Sequence, residues 1–396
     1  MVTRSLVRGG AVTTGLRRAR GLTSGVFGVQ GFAVAGLYTT LPAASSRFDI
    51  STAGVTAILV GVMLCAGAGS FAGLALIGRH GLQAAMRIAV ASMAAALIAV
   101  AVAPGTAAAV AGYLAFGLAI GCVDVSENTS AAIVERLYGR SVFASFFAFF
   151  SGAGVAGALL TSGATHLGWS VGQILALQGG LVLAYVPFMR GAREVLTASP
   201  AALAEESPIH DRGLWKALLP FGVVMLVLYV VDSTTSAWTT VFLHRDLDAA
   251  LSIAPLGFAA YQAGTLAGRA CADRFVRRHG PVRVIRWFSG LVAVGLFAIS
   301  ASPHWATAIA GAAVVGVGAS VLVPLSLAAG GRLRPGAAEA VLARLNIFNY
   351  AGVLSGSALG GALGSGGHFR LAYAAPAVVV LMIPFLGRAF ETPSPA

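Results

Sequence analysis

The chain has 396 residues, of which 57% are hydrophobic and 10% are charged. So small a share of charged side chains excludes a sizeable water-exposed domain. The formal net charge of +12 is divided among short connectors and does not form one basic surface, so nucleic-acid binding is not expected.

Twelve apolar segments follow one another, each suited to a membrane-spanning helix, which needs about 20 apolar residues. The predicted spans of the first half are 22–41, 51–76, 86–102, 107–132, 142–164 and 171–189. Those of the second half are 217–243, 253–272, 284–302, 305–327, 345–363 and 371–386. The sequence therefore predicts an all-α integral membrane protein with twelve transmembrane helices.

The positive charges predict how the chain is threaded. If both termini are cytoplasmic, 23 of the 26 Lys and Arg residues lie on the inside, and only Arg47, Arg245 and Arg370 lie outside. Positive residues favour cytoplasmic loops. We therefore expect a basic cytoplasmic tail at 1–21, an uncleaved first helix and a cytoplasmic tail at 389–396.

A polar stretch at 190–216 divides the predicted spans into two bundles of six, 22–189 and 217–388. We interpret this stretch as a cytoplasmic linker. Because six is an even number, both bundles enter the membrane with the same orientation, as in parallel repeats.

A short motif occurs in both halves. Gly69 and Gly73 precede Arg79 at the inner end of the second span, and Gly264 and Gly268 stand 195 residues later in the eighth span. A His-Gly pair follows in each half. The coincidence of sequence and topological position predicts two pseudo-symmetric bundles with a common ancestor.

Twelve spans in two parallel halves, with a basic connector after spans 2 and 8, resemble the major facilitator superfamily. The second half keeps the connector motif of that family, whereas the first half has Gly78 where an acid is usual. The resemblance implies a transporter fold and makes the connector residues candidate gating elements: Gly73, Arg79, Gly81, Gly268, Arg269, Asp273 and Arg274.

A finer resemblance is to the fucose-permease-like branch and its uncharacterised bacterial relatives. It is carried by Asp124, Asn128, Glu135 and Arg136 in and after the fourth span, and by Gly268-Arg269 in the eighth. Phe147 and Ala237 depart from the pattern of that branch. The resemblance implies a multi-pass protein of a bacterial cytoplasmic membrane, without identifying a substrate.

Acidic residues at membrane depth are costly and are therefore candidates for function. Asp124 lies 12 residues before Arg136, which is about 18 Å along a helix and near the midplane. Glu127 follows one turn later on the same face, and two such close carboxyls do not ionise together cheaply. Asp232 lies in a polar run that we expect to cap or kink a broken seventh helix. We predict proton coupling by Asp124, Glu127 and Asp232, against a structural hydrogen bond as the alternative for Asp124.

The family resemblance implies a substrate cavity between the halves. The polar and aromatic residues positioned to reach it are Gln30, Tyr38, Thr39, Asn128, Thr235, Trp238, Tyr261, Gln262, Asn349 and Tyr350. No deep Lys or Arg accompanies them at this level, so we expect an uncharged or weakly charged, polar or amphipathic solute.

These features favour a monomeric secondary transporter that works by alternating access, is coupled to protons and leans towards export. Proton-coupled import of a sugar-like solute is the alternative. A membrane-embedded enzyme would need a reactive cluster, for which Glu205-Glu206 and Asp246 with Asp248 lack partners, and a non-transporting sensor would need a signalling domain. Cys65, Cys122 and Cys271 lack metal-ligand spacing, so neither a metal nor a cofactor is expected.

Overall fold

The structure is a computed structural model that describes residues 7–8, 11–12, 14–139, 142–190, 212–333 and 338–390. It divides into two compact units. The first comprises Met1–Ile50 and Ala57–Glu205, and the second comprises Ser51–Thr56 and Glu206–Ala396. The described residues of the two units form twelve α-helices.

Six helices lie in the first half of the chain. They are α1 (Thr14–Arg47), α2 (Thr52–His80), α3 (Leu82–Ala101), α4 (Thr106–Tyr138), α5 (Phe143–His166) and α6 (Val171–Tyr185), the last continued by a short 3-10 turn, Val186–Phe188. A two-residue antiparallel pair, β1 (Val7–Arg8) and β2 (Ala11–Val12), precedes α1. Apart from this short pair, the regular structure of the described residues is helical, as the sequence predicts.

The other six helices lie in the second half. They are α7 (Arg212–Arg245), α8 (Pro255–His279), α9 (Pro281–Ser300), α10 (Trp305–Arg332), α11 (Ala338–Ser365) and α12 (Phe369–Val380), the last followed by a 3-10 segment, Ile383–Phe390.

Ten of these helices are long and apolar enough to cross a membrane, within the part of the chain that the structure describes. The helices outside this set are α8 and α11. The C-terminal end of α8 carries Arg274, Arg277 and Arg278, which lowers the mean hydropathy of the whole helix. The structure thus confirms a multi-helix membrane protein, and the count of twelve spans stays a prediction.

The helices extend beyond the apolar segments of the sequence. The first begins at Thr14, so Arg17, Arg18 and Arg20 form its first turns and do not belong to an extended tail. The seventh begins at Arg212, inside the predicted linker 190–216. Residues 191–211, which make up most of that linker, and the tail end 391–396 lie outside the described residues.

The glycine motif of α2 packs against α4. A side chain at Gly69 would overlap the carbonyl of Leu118, and one at Gly73 would approach Cys122. In the second unit, Gly264 and Gly268 meet Ala313 and Val317 of α10 in the same manner. Every one of these four pairs of positions differs by 195 residues between the units. The repeat seen in the sequence is therefore also a repeat of helix contacts.

The two connectors share one backbone conformation. Gly81, between α2 and α3, has φ 79° and ψ 160°, and Gly280, between α8 and α9, has φ 76° and ψ 160°. Residues with a side chain avoid this region almost entirely. Glycine at both positions therefore allows the chain to turn within one residue and to start the next helix.

Candidate functional site

A row of polar contacts joins α1 to α4 in the first unit. Gln30 Nε2 donates a hydrogen bond of 2.5 Å to Asp124 Oδ1. Further along the same two helices, the hydroxyls of Thr23 and Ser130 lie 2.6 Å apart. The sequence predicted Gln30 as a cavity residue and Asp124 as a proton-coupling residue, and the structure brings them together.

Glu127 lies between these two contacts on α4. It stands three residues after Asp124 and three before Ser130, so it belongs to the ridge of α4 that faces α1. Its side chain is 1% exposed, and Oε2 has no hydrogen-bond partner among the described residues. Glu127 is also close enough to Asp124 for the two carboxyls to interact electrostatically. A buried carboxyl without a full set of partners costs several kcal/mol, so this residue demands an explanation.

The remaining predicted cavity residues of the first unit do not join this row. Thr39 Oγ1 donates to Thr161 Oγ1 of α5 at 2.9 Å, and Asn128 Nδ2 donates to the Asp124 carbonyl of its own helix. Tyr38 is buried in α1. The Thr39–Thr161 hydrogen bond joins α1 to α5, which is the structural role that polar groups often take in membranes.

Glu135 has a structural role that its sequence pattern did not reveal. Its Oε2 accepts hydrogen bonds from the backbone N–H groups of Val142 and Phe143, at 2.8 and 2.7 Å. A carboxylate at a helix N-terminus satisfies donors that lack a partner within the helix. Glu135 therefore caps α5.

The second unit contains a cluster of three residues for which the sequence predicts three separate roles. The hydroxyl of Tyr261, in α8, donates a hydrogen bond to Asp232 Oδ1 of α7. Arg269, two turns further along α8, interacts electrostatically with Tyr261, Asp232 and Tyr229. These contacts join residues with three different predicted roles. Asp232 is the coupling acid, Tyr261 is a cavity residue, and Arg269, the gating residue, supplies the positive charge.

The polar run that follows Asp232 does not break the helix, so the expectation of a broken seventh helix was wrong. α7 is continuous from Arg212 to Arg245, because the side chains of this run bond to a neighbouring helix while the backbone stays helical. Ser233 Oγ donates to the Val353 carbonyl at 2.9 Å, and Thr234 Oγ1 donates to that of Gly356 at 3.2 Å. Both acceptors belong to α11.

The other predicted cavity residues of the second unit occupy different environments. Trp238 is fully buried, and its indole N–H donates to the Ser357 carbonyl of α11 at 3.1 Å. Thr235 and Gln262 are buried, and Thr235 Oγ1 has no hydrogen-bond partner within the described ranges. Asn349 is half-buried, while Tyr350 is 60% exposed. The hydrogen bond of Trp238 joins α7 to α11.

The connector residues fall into two groups. Gly73 and Gly268 lie in close helix contacts, and Gly81 forms a tight turn. Arg79 and Arg274 are exposed at the ends of α2 and α8. The side chain of Asp273 lies outside the described part of the structure, so the predicted role of this acid in gating stays a prediction.

Asp246 belongs to the acidic pair that was considered for an enzyme. It follows α7 directly, and partial burial raises the pKa of its carboxyl, an effect that Arg370 opposes and Asp248 reinforces. Arg370 therefore acts as a compensating charge for this pair. Glu205 and Glu206 lie outside the described residues.

Comparison with known proteins shows what the chain is similar to. Residues 220–396 match the family model of the Major Facilitator Superfamily. An uncharacterized MFS-type transporter of Yersinia pestis is 27% identical over 368 residues, which cover 92% of this chain and 93% of that protein. The membrane protein MosC of Rhizobium meliloti is 24% identical over 336 residues, covering 83% and 80% of the two chains.

Solved structures show the same fold. A peptide transporter, POT, solved in complex with sulfate, aligns with a TM-score of 0.73 at 15% identity over 98% of both chains. The nucleoside transporter NupG aligns with a TM-score of 0.69 at 15% identity over 94% of this chain and 98% of its own. The chain thus shares its fold with these transporters, and residues 220–396 match the Major Facilitator Superfamily model.

Proposed function

We propose that this protein is a proton-coupled secondary transporter that moves a small polar or amphipathic solute by alternating access, with export as the favoured direction. The observation that carries the proposal is the buried acidic pair on α4. Glu127 Oε2 has no hydrogen-bond partner among the described residues, and Asp124 is bound by a neutral amide. Intramembrane acids are retained where they serve a function.

The residues of this pair have distinct parts in the proposal. Two neighbouring carboxyls are costly to ionise together, so the pair is expected to take up or release one proton when its access to water changes. Gln30 holds Asp124 through a neutral hydrogen bond, and proton exchange at Asp124 therefore breaks no ion pair. Asp232 is proposed as a second coupling residue whose charge is balanced by Arg269.

The neighbouring structures widen the range of solutes to be tested. By their names, they carry nucleosides, peptides and, in the case of human MFSD10, organic anions. In this chain, the acidic pair and Gln30 favour an uncharged or cationic amphipathic solute over an anion, since like charges repel. Proton-coupled import of a sugar-like solute is the second candidate.

The experiment uses full-length protein in liposomes with an imposed pH difference. A nucleoside, a dipeptide, a lipophilic cation and a hexose are each supplied at equal concentration on both sides. Antiport moves the solute towards the acidic side, whereas symport moves it towards the alkaline side. We expect at least one solute to accumulate on the acidic side and to redistribute when a protonophore is added.

Two results decide against the proposal. If the solute accumulates on the alkaline side, the protein is a symporter, and import is favoured over the proposed export. If a sodium gradient drives accumulation and the pH difference drives none, proton coupling is wrong although the protein is a transporter.

A further inference from the structure

An open cleft lies on the surface of the first unit between α2 and α3, with α4 as its floor. Its volume is about 700 Å³, and eight of its fifteen lining residues are alanine. Ile88 and Leu118 in its wall are 41% and 44% exposed. The body of the cleft is therefore apolar and formed by small side chains.

One end of the cleft has a different character. Arg79 and His80, the last two residues of α2, line it beside the turn at Gly81. This is the end that the distribution of Arg residues predicts to be cytoplasmic. None of the described residues that line the cleft is acidic. The cleft thus combines an apolar body with a positively charged end, which lies at the level of a membrane surface.

The corresponding helix of the second unit, α9, carries aromatic rings near its start. Trp287 and Phe288 stand seven and eight residues after Gly280, the positions that Ile88 and Ala89 hold after Gly81. The Phe288 ring packs against Phe275 of α8 at 5.7 Å, and the Trp287 ring packs against His279 at 5.0 Å. The starts of α3 and α9 therefore differ in the size of the side chains that they present at these two positions.

We propose that this cleft binds one anionic phospholipid, with an acyl chain along the alanine-lined wall and the phosphate at Arg79 and His80. A void in contact with hydrocarbon forfeits dispersion contacts, and an apolar wall does not hold water. An acyl chain fills such a space, and the charge of Arg79 complements an anionic headgroup. The headgroup interaction distinguishes this site from general contact with lipid.

The test titrates purified full-length protein in detergent with phosphatidylglycerol or phosphatidylcholine and counts bound lipid by native mass spectrometry. We expect phosphatidylglycerol to bind about fivefold more tightly, the factor given by about 1 kcal/mol for one arginine near a membrane surface. Arg79→Gln removes this preference. Ala95→Phe places a ring in the cleft and weakens the binding of both lipids.

Matched controls come from the second unit. Arg274→Gln changes the arginine at the equivalent motif position. Val294→Phe adds a ring at an exposed site, 63% accessible, that lies as far after Gly280 as Ala95 lies after Gly81. Both controls are expected to bind lipid like the wild type. Should Ala95→Phe fail to fold, Ser92→Leu narrows the same cleft.

Three outcomes overturn the proposal. The first is equal binding of the two lipids by the wild type. The second is unchanged binding in both the Arg79→Gln variant and the cleft-filling variant. The third is full displacement of phosphatidylglycerol by inorganic phosphate with no effect of Ala95→Phe, which indicates an anion site without a lipid cleft. The readout does not involve transport, so it is independent of the proposed function.

Discussion

Asp124→Asn is expected to abolish solute accumulation driven by a pH difference while the protein stays folded. Asparagine has nearly the same shape, and its side-chain oxygen still accepts the hydrogen bond from Gln30 Nε2, but it binds no exchangeable proton. One pH unit is equivalent to about 1.4 kcal/mol per proton, a tenfold concentration ratio for electroneutral one-to-one coupling. We expect that ratio for the wild type and equal concentrations on both sides for the variant.

The control for this variant is Asp248→Asn, which makes the same change at an exposed residue in the left-handed conformation, where asparagine is well tolerated. Exchange of labelled for unlabelled solute without a gradient should persist in both variants. A tenfold ratio retained by Asp124→Asn would remove this carboxyl from the coupling mechanism.

Gly121→Ala and Gly316→Ala are expected to destabilise the protein to a similar extent. A methyl group at Gly121 would overlap the Ala66 carbonyl, and one at Gly316 would overlap the Tyr261 carbonyl. Both the glycines and the carbonyls are separated by 195 residues. Because the obstacle is backbone, the cost should reach the upper end of the overpacking range, about 3 kcal/mol. The measurement is the midpoint of thermal unfolding in detergent.

Gly163→Ala and Gly290→Ala serve as controls, since nothing lies within 4 Å of an added methyl group at either helical position. Alanine is the better helix former, so these controls should unfold at the wild-type temperature or slightly above. A loss of stability in only one of Gly121→Ala and Gly316→Ala would mean that the two interfaces are not equivalent.

The helical scaffold could be predicted from the sequence because it depends on patterns that the membrane imposes. Apolar length gave the helices, and the spacing of Gly69 and Gly264 gave the repeat, since small residues at helix contacts must recur wherever the contact recurs. The sequence predicted the helix boundaries less well. The first helix begins at Thr14, ahead of the apolar segment that starts at residue 22, because arginine side chains at the interface do not terminate a helix.

The hydrogen-bond partners of the side chains could not be predicted from the sequence, because they join helices that are distant in sequence. Glu135 looked like part of a family pattern, and only the structure shows its bonds to the start of α5. Asp232, Tyr261 and Arg269 were assigned three roles for the same reason. The acids also break the repeat: Ala319 and Leu322 stand where a 195-residue shift would place Asp124 and Glu127, so symmetry could not have located them.

Proton exchange by the acidic pair on α4 during solute movement is tested most directly by recording both fluxes in the same proteoliposomes. Solute is added without a pH difference, and an internal pH dye reports proton movement. We predict that solute entry drives a proportional proton flux in the wild type. In the double variant Asp124→Asn, Glu127→Gln, solute should exchange without any proton flux. An undiminished proton flux in the double variant, or solute transport without proton movement in the wild type, would contradict this account.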